Sequence, residues 1–424
     1  MPVVAASARV PTRARPFAKT QVPTPPWLRL ILGRDLAPTR AEFDAALAAL
    51  NEGDPAMDAL VGWMIAHGPR EARALFEQAL ARGVDAVPDC PQPLRDFFAT
   101  VDREPHWLDR ELLAEGVGFI HGVGQTAMVV MRDLALMGGY LLSGFNQSLV
   151  MTGALSQGTS QRVAETGKWW MDCTEPGGLE RFGPGFRSTL HVRLVHALVR
   201  RNLAARPEWE HAVWGLPLNQ IDMAATYLGF SVVMLGALRK LGIQATPRES
   251  RGVMMLWSHA CWLMGVDERW LCFSEVEGVV ALNTALMTQS RPDQTSRDLG
   301  HALSLEPLER TYAGLEAMPR LHELRRRLAY HQHLSMSRYF LTREQMGQLG
   351  LPETVTAWYP WLTLLPRAMS YTGQRLLPPL RRRMQARGRA AQRQAMDEVF
   401  GKRAQGIIQP DEQHPAHFSQ QRGA

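Results

Sequence analysis

Cysteine is scarce in this chain of 424 residues, and its positions follow no pattern. The four cysteines lie far apart, without any CxxC pair: Cys90, Cys173, Cys261 and Cys272. A thiolate zinc site needs closely spaced pairs, and a disulfide-stabilised scaffold needs a dense set of cysteines. Both classes are therefore excluded, and we expect a reducing compartment, the cytoplasm.

Signals for strands, nucleotide binding and secretion are nearly absent as well. The chain shows no βαβ alternation, no internal repeat, no P-loop or dinucleotide fingerprint, and no HExxH or EF-hand pattern. Arginines interrupt the N-terminus where a signal peptide needs an unbroken apolar core. The longest apolar stretch, 116–145, contains charged and polar side chains, so we expect neither a signal peptide nor a clear transmembrane helix.

The net charge of +6 is modest, and it does not indicate a nucleic-acid-binding face. The arginine-rich stretches, "ARVPTRARPFAK" and "LRRRMQARGRAAQRQ", lie near the two ends of the chain. Hydrophobic residues make up 46% of the chain and charged residues 21%, a composition typical of a globular protein with a large core. We therefore expect no nucleic-acid partner.

Apolar residues at helical spacing are abundant. One series of helices is predicted from Thr39, a candidate N-cap, onwards. Further helices are predicted over 218–242 and 246–266, the second with Thr246 as N-cap and Pro247 in its first turn. Residues 174–186, "TEPGGLERFGPGF", are predicted to form a loop, after which Ser188 can cap the next helix. The pattern predicts an all-α protein.

The motif "RVAETGKWW" at 162–170 places polar side chains beside large aromatic surface. Arg162, Glu165 and Thr166 are three and four residues apart, so on a helix they form one stripe, above Trp169. The ordinary interpretation is a solvated face with an ion pair and an exposed threonine. The alternative is an inward-facing polar patch in a functional site.

The motif "HVRLVHALVRRNL" places His196 on an apolar helical face. A histidine there is usually a satisfied core residue, but it can also serve as an axial ligand to iron. Arg193 and Arg200 flank it three and four residues away, as cations at the propionate edge of a haem would. By the same reading His121 and His259 are core residues, whereas His331 and His333 are expected on a solvated surface.

These two motifs resemble the family of the rubber oxygenases (latex clearing proteins) and the endoplasmic-reticulum-bound oxygenases of the mycophenolic acid pathway. The resemblance also includes two stretches downstream, "NQIDMAATYLGFSVVMLGALRKLG" and "ESRGVMMLWSHACWLMGVDERWL". The resemblance covers roughly 100–340. It implies a helical, globin-like core that binds one haem b and uses O2. By resemblance, His196 matches the iron ligand, and Arg162 and Thr166 match polar positions of the haem pocket.

Two departures from the family bear on the reaction. Rubber oxygenases have a lysine where this chain has Glu165, and they carry a distal glutamate, whereas residues 144–161 contain no carboxylate. We therefore expect Glu165 either to anchor Arg162 or to reach the distal pocket. The resemblance implies oxygenation of an apolar, unsaturated or prenyl-like substrate, with C=C cleavage to carbonyls as one outcome.

The predicted organisation is one large helical domain with extensions at both ends. Residues 1–25 are predicted to be a disordered basic arm, 26–99 an N-terminal helical extension, 100–340 the haem-binding oxygenase-like domain, and 341–424 a C-terminal helical segment with a basic tail. The segment 358–388 joins aromatic and leucine clusters to an arginine run. This composition suits peripheral membrane contact, although a docked helix with a solvated basic end is the more common case.

Two other functions remain open from the sequence. A haem-binding sensor or carrier would use His196 without turnover. A cofactor-free helical scaffold would treat His196 and Arg162 as ordinary core and surface residues.

Overall fold

The structure is a computed structural model that describes residues 10–17, 24–153, 159–375 and 377–401. Throughout those ranges the regular elements are helices and no strand is present, which confirms the all-α prediction. The residues at 1–9, 18–23 and 402–424, parts of the predicted basic arm and tail, lie outside the described chain.

The described residues up to 153 form nine helices. They are α1 (Pro26–Leu32), α2 (Arg40–Ala49), α3 (Pro55–His67), α4 (Pro69–Arg82), α5 (Gln92–Val101), α6 (Arg110–Val123), α7 (Gln125–Val130), α8 (Met137–Gly139) and α9 (Ser143–Met151). A π-helical segment, Met131–Leu136, joins α7 to α8.

The remaining helices complete the bundle. They are α10 (Thr159–Cys173), α11 (Pro184–Ala204), α12 (His211–Trp214), α13 (Gln220–Leu228), α14 (Met234–Lys240), α15 (Pro247–Leu263), α16 (Glu275–Met287), α17 (Gln294–Leu305), α18 (Pro319–Phe340), α19 (Arg343–Gln348), α20 (Trp358–Arg375) and α21 (Pro378–Phe400). A second π-helical segment, Gly229–Val233, joins α13 to α14. Short 3₁₀ turns lie at Val84–Ala86, Glu268–Trp270 and Glu306–Leu308.

Helix starts follow the predicted capping chemistry in most places. Thr39 and Thr246 each form a capping box with the glutamate three residues later, which confirms both predicted N-caps. The prediction for α11 was wrong: the helix begins at Pro184, inside the predicted loop, and Ser188 is already helical. Proline is favoured in a first turn because its missing N–H would have no partner there.

One hydrophobic core runs through nearly the whole chain. Its largest cluster includes Met57 on α3, Phe119 on α6, Trp257 on α15, and Met384 and Phe400 on α21. The predicted boundaries at 99/100 and 340/341 therefore do not separate independent cores. Residues 10–17 also pack onto the bundle, since Arg13 donates to Asp222 at 2.6 Å, so this part of the predicted arm is not disordered.

A buried charge network crosses the bundle at the first π-helical segment. Arg132 donates to Asp133 at 2.5 Å and to Glu306 at 2.8 Å, and Glu306 also binds Arg310 at 2.8 Å. His333 Nδ1 lies 2.7 Å from Asp133 Oδ2. The prediction of a solvated His333 was wrong: the side chain is buried, and burial lowers its pKa to about 4. His331, two residues earlier, is exposed as expected.

One continuous helical stretch of the described chain, Gln220–Lys240, is long and apolar enough to cross a bilayer. Most of this stretch is buried inside the bundle, and a buried core helix of a protein without transmembrane helices passes the same test. Gln125–Gly139 and Ser143–Met151 would pass the same test only as a pair bent by 98°. The described chain thus contains no clear transmembrane span.

The backbones of α6 and α15 approach each other closely at a pair of glycines, Gly116 and Gly252. A Cβ added at Gly252 would overlap the carbonyl oxygen of Leu112 and the backbone of Gly116. The two backbones approach so closely only because both positions are glycine.

Replacing Gly252 with alanine should therefore force α6 and α15 apart and lower the free energy of unfolding by about 1–3 kcal/mol, as overpacking does. The control is Gly236→Ala on α14, where an added Cβ would meet nothing within 4 Å. That change should leave stability equal or slightly higher. Urea denaturation of the two variants measures the difference, and equal midpoints would contradict the contact.

Candidate functional site

Both predicted motifs lie on neighbouring helices, α10 and α11, joined by the glycine-rich loop 174–183. Trp169 Nε1 donates to Thr189 Oγ1 at 2.9 Å, and Cys173 Sγ lies 3.6 Å from the same hydroxyl. The loop closes tightly, with Phe186 N donating to Gly178 O at 2.9 Å. These contacts hold the two helices side by side.

His196 is a partly open imidazole on a helix that is otherwise largely buried. Its Nδ1 is buried and has no hydrogen-bond partner among the described residues. The pKa of His196 is lowered to about 4, mainly by burial; the charges of Arg200 and Arg162 add to this shift, and the charge of Asp54 opposes it. The ring is therefore neutral near pH 7, the form in which imidazole binds a metal.

Arg162 is half-buried on α10 and forms no hydrogen bond or ion pair with any described residue. Burial lowers the pKa of its guanidinium, against the opposing effects of Tyr140 and Glu165. The charge of Arg162 helps to lower the pKa of His196 and opposes the rise in the pKa of Tyr140.

The other two residues of the motif are arranged differently from the prediction. Glu165 Oε1 accepts a hydrogen bond from Gln161 Nε2 at 3.2 Å. The expected ion pair between Glu165 and Arg162 is not formed among the described contacts, and Thr166 is exposed. Along this stripe of α10, the side chain of Arg162 is therefore half-buried and that of Thr166 is exposed to solvent.

Arg193 and Arg200 make buried ion pairs with α3. Arg193 binds Asp54 through two hydrogen bonds of 2.6 and 2.8 Å and donates to Leu263 O at 3.1 Å. Arg200 binds Asp58 at 2.6 Å. Both arginines therefore connect α11 to α3. Their binding to a haem propionate stays a prediction, and the ion pairs that they already make do not favour it.

Sequence reasoning missed Tyr140 as part of this region. Burial raises the pKa of Tyr140 to about 12, although the charge of Arg162 opposes that shift. The ring lies in a core cluster against which Val163 of α10 packs. Nearby, Asn146 donates to Tyr140 O at 2.8 Å while its own Oδ1 is buried without a partner. No periodic signal in the sequence links α8 or α9 to α10.

Aromatic side chains form a wall on the inner side of α10. The rings of Trp169 and Phe230 are 5.3 Å apart, and those of Phe230 and Trp257 are 5.0 Å apart. The second π-helical segment carries Phe230 into this position. Such a wall makes the interior beside α10 apolar and excludes water.

The described residues contain no group of three or more histidine, cysteine, aspartate or glutamate side chains that could hold a metal ion. A metal held by protein ligands alone is therefore not supported there. A haem would require less of the protein, because the porphyrin supplies four ligands and the protein needs to add only one imidazole. His196, neutral and partly open, meets that requirement.

The ion pair between Arg193 and Asp54 should be a main support of the site. Asp54→Asn leaves a buried guanidinium without its anion, while asparagine keeps the N-cap of α3, so the free energy of unfolding should fall by about 3 kcal/mol. Asp44→Asn is the matched control, because its ion pair with Arg40 is exposed and should contribute less than about 1 kcal/mol. Urea denaturation compares the two; an equal loss in both would contradict the assignment.

Two relatives resemble this chain. A curated rubber oxygenase of Streptomyces sp. (strain K30) is 23% identical over 237 residues, which cover 54% of this chain and 54% of that protein. The match thus spans about half the length of that relative. A solved structure of the latex clearing protein LCP in its closed state superposes with a TM-score of 0.60 at 19% identity, covering 81% of this chain and 91% of that one. This likeness shows the same helical fold.

The family profile described as "ER-bound oxygenase mpaB/B'/Rubber oxygenase, catalytic domain" matches residues 121–399. The matched range includes α10 and α11 and extends through α20 into α21, well past the predicted domain end at 340. The chain therefore belongs to the family of the ER-bound and rubber oxygenases.

Proposed function

We propose that this protein is a haem b-dependent oxygenase that uses O2 on an apolar, unsaturated or prenyl-like substrate. The observation that carries the proposal is His196, a neutral and partly open imidazole inside the matched family domain. The family membership supports an oxygenase, and the absence of any other metal-ligand group among the described residues supports a cofactor that brings most of its own ligands.

In this proposal each residue of the site has its own task. His196 would hold the iron, since its low pKa keeps the ring unprotonated down to mildly acidic pH. Arg162 has no carboxylate partner among the described residues, so it is available for a propionate or another anionic group. When bound, haem b supplies the chemistry that activates O2. Trp169 and Phe230 keep water away from the reacting groups.

Glu165 and Thr166 are proposed to act at the open side of the same stripe. Glu165 replaces the lysine of rubber oxygenases, and residues 144–161 contain no carboxylate. A proton acceptor near the substrate would therefore come from Glu165 rather than from the α9 region. Tyr140 is the remaining hydroxyl close to Arg162, and its raised pKa keeps it protonated as a donor.

The substrate class follows from the relatives and the apolar wall. The Streptomyces relative is a rubber oxygenase by name, and rubber is a polyisoprene. We propose a polyisoprene-like or other prenyl chain, with cleavage of a C=C bond as one outcome of oxygenation. The predictions of a cytoplasmic location and of a peripheral membrane contact remain predictions.

Two other functions make different predictions. A haem-binding sensor or carrier would bind haem through His196 and consume no O2 with any isoprenoid. A helical scaffold would bind no haem at all. A specific observation favouring either is lacking, so the oxygenase is the function best supported.

Replacing His196 with alanine should abolish haem retention while leaving the helix content unchanged, because one axial bond holds the iron but many contacts hold the fold. His259→Ala is the matched control, since it is also a buried histidine whose Nδ1 has no partner. Haem content per chain and far-ultraviolet circular dichroism are measured on both variants. Full haem content in His196→Ala would contradict the assignment.

Oxygen uptake by the wild-type protein with short isoprenoid oligomers then separates the oxygenase from the sensor. Uptake that depends on both haem and isoprenoid supports the proposal. A haem-loaded protein that consumes no O2 with isoprenoids or unsaturated fatty acids would indicate a sensor or carrier.

A further inference from the structure

The outer face of α20 carries an uninterrupted apolar stripe. Trp361 is 66% exposed, Leu362 69%, Leu365 64% and Met369 67%, and Trp358 at the first turn is also exposed. At about 100° per residue these five positions fall within an arc of about 100° on one side of the helix. Single exposed apolar side chains are common, but a contiguous patch of this kind indicates a binding surface.

The opposite face holds α20 firmly on the bundle. Tyr359 N donates to Ser335 Oγ at 2.9 Å near the start of the helix. At its end Arg375 donates to Gln244 O and to Glu249, both at 2.5 Å. Tyr371 is buried, with its ring 6.3 Å from that of Phe119. The apolar stripe is therefore presented outwards by a fixed helix.

The chain around this stripe is strongly basic. Residues 354–396 contain eight arginines and no aspartate, glutamate or lysine. Four of the arginines form ion pairs with carboxylates on other elements, on α6, on α15 or at Glu175. The other four make no ion pair with a described residue: Arg367, Arg382, Arg383 and Arg387.

The apolar and basic surfaces meet where α20 passes into α21. Leu377 is 57% exposed there, and Leu380 is exposed one turn later, directly before the exposed Arg382 and Arg383. An apolar stripe with tryptophan, bordered by unpaired arginines, matches the boundary between lipid acyl chains and anionic headgroups.

We propose that α20 and the first turns of α21 form a docking surface for an anionic lipid bilayer. The leucines and tryptophans enter the interface, and the exposed arginines Arg382, Arg383 and Arg387 contact the headgroups. A second copy of this chain fits less well, because a symmetric contact would place two carboxylate-free, arginine-rich segments against each other. This inference does not rest on the proposed haem chemistry.

The test is sedimentation of the full chain with vesicles of phosphatidylcholine alone and of phosphatidylcholine mixed with phosphatidylglycerol. We expect binding to the mixed vesicles only, and a loss of binding as salt is raised. The double variant Trp361→Ser/Leu365→Ser should weaken binding at least about tenfold, because it removes two large apolar side chains from the part of the stripe that enters the interface. Arg382→Gln/Arg383→Gln should also weaken it about tenfold or more.

The matched control is Leu324→Ser on α18, which removes an equally exposed leucine, 63% exposed, from a different surface. Its vesicle binding should equal that of the wild type. Thermal unfolding and haem content of all variants should be unchanged, which separates this test from that of the proposed function. Sedimentation velocity of the wild type and of the α20 variant reports self-association.

Three results would overturn the docking surface. The first is a wild-type protein that binds neither kind of vesicle. The second is binding that the α20 and arginine variants leave intact, or that Leu324→Ser weakens equally. The third is a wild-type dimer that the α20 variant dissociates, because a second copy would then cover the stripe.

Discussion

The buried ion pair between Arg193 and Asp54 is the contact on which the arrangement of the site depends. It joins α11 to the start of α3 across 139 positions of sequence. Arg200 makes a second connection of the same kind, to Asp58, about two helical turns further along α11. His196 lies between the two arginines in sequence, three residues after Arg193 and four before Arg200, and its ring is only partly buried. The N-terminal helices are therefore part of the structure that positions the site.

Desolvation sets the chemistry of that site. Burial keeps His196 neutral, lowers the pKa of Arg162 and raises that of Tyr140 to about 12. An imidazole in this state is a metal ligand rather than a cation, and a phenol in this state is a donor. The only fixed positive charge of the trio is that of Arg162, which suits an anionic group on an incoming cofactor.

Local signals in the sequence predicted much of the fold. Thr246 and Pro247 correctly predicted where a helix begins. The spacing of apolar residues predicted the helices around His196, and the all-helical class was confirmed. Long-range pairings were not predictable, because one sequence carries no record of which distant carboxylate meets which arginine. The pairs formed by Arg193 with Asp54 and by His333 with Asp133, 200 positions away, are of this kind, and for that reason the prediction of a solvated His333 was wrong.

The central claim, that His196 carries a haem inside this oxygenase-family fold, is tested most directly by the absorption spectrum of the wild-type protein purified from cells supplied with haem precursor. We expect an intense Soret band that shifts when the reduced sample is exposed to CO, because a haem held by His196 alone would still be able to bind CO. A colourless protein that remains colourless after incubation with haem would contradict it.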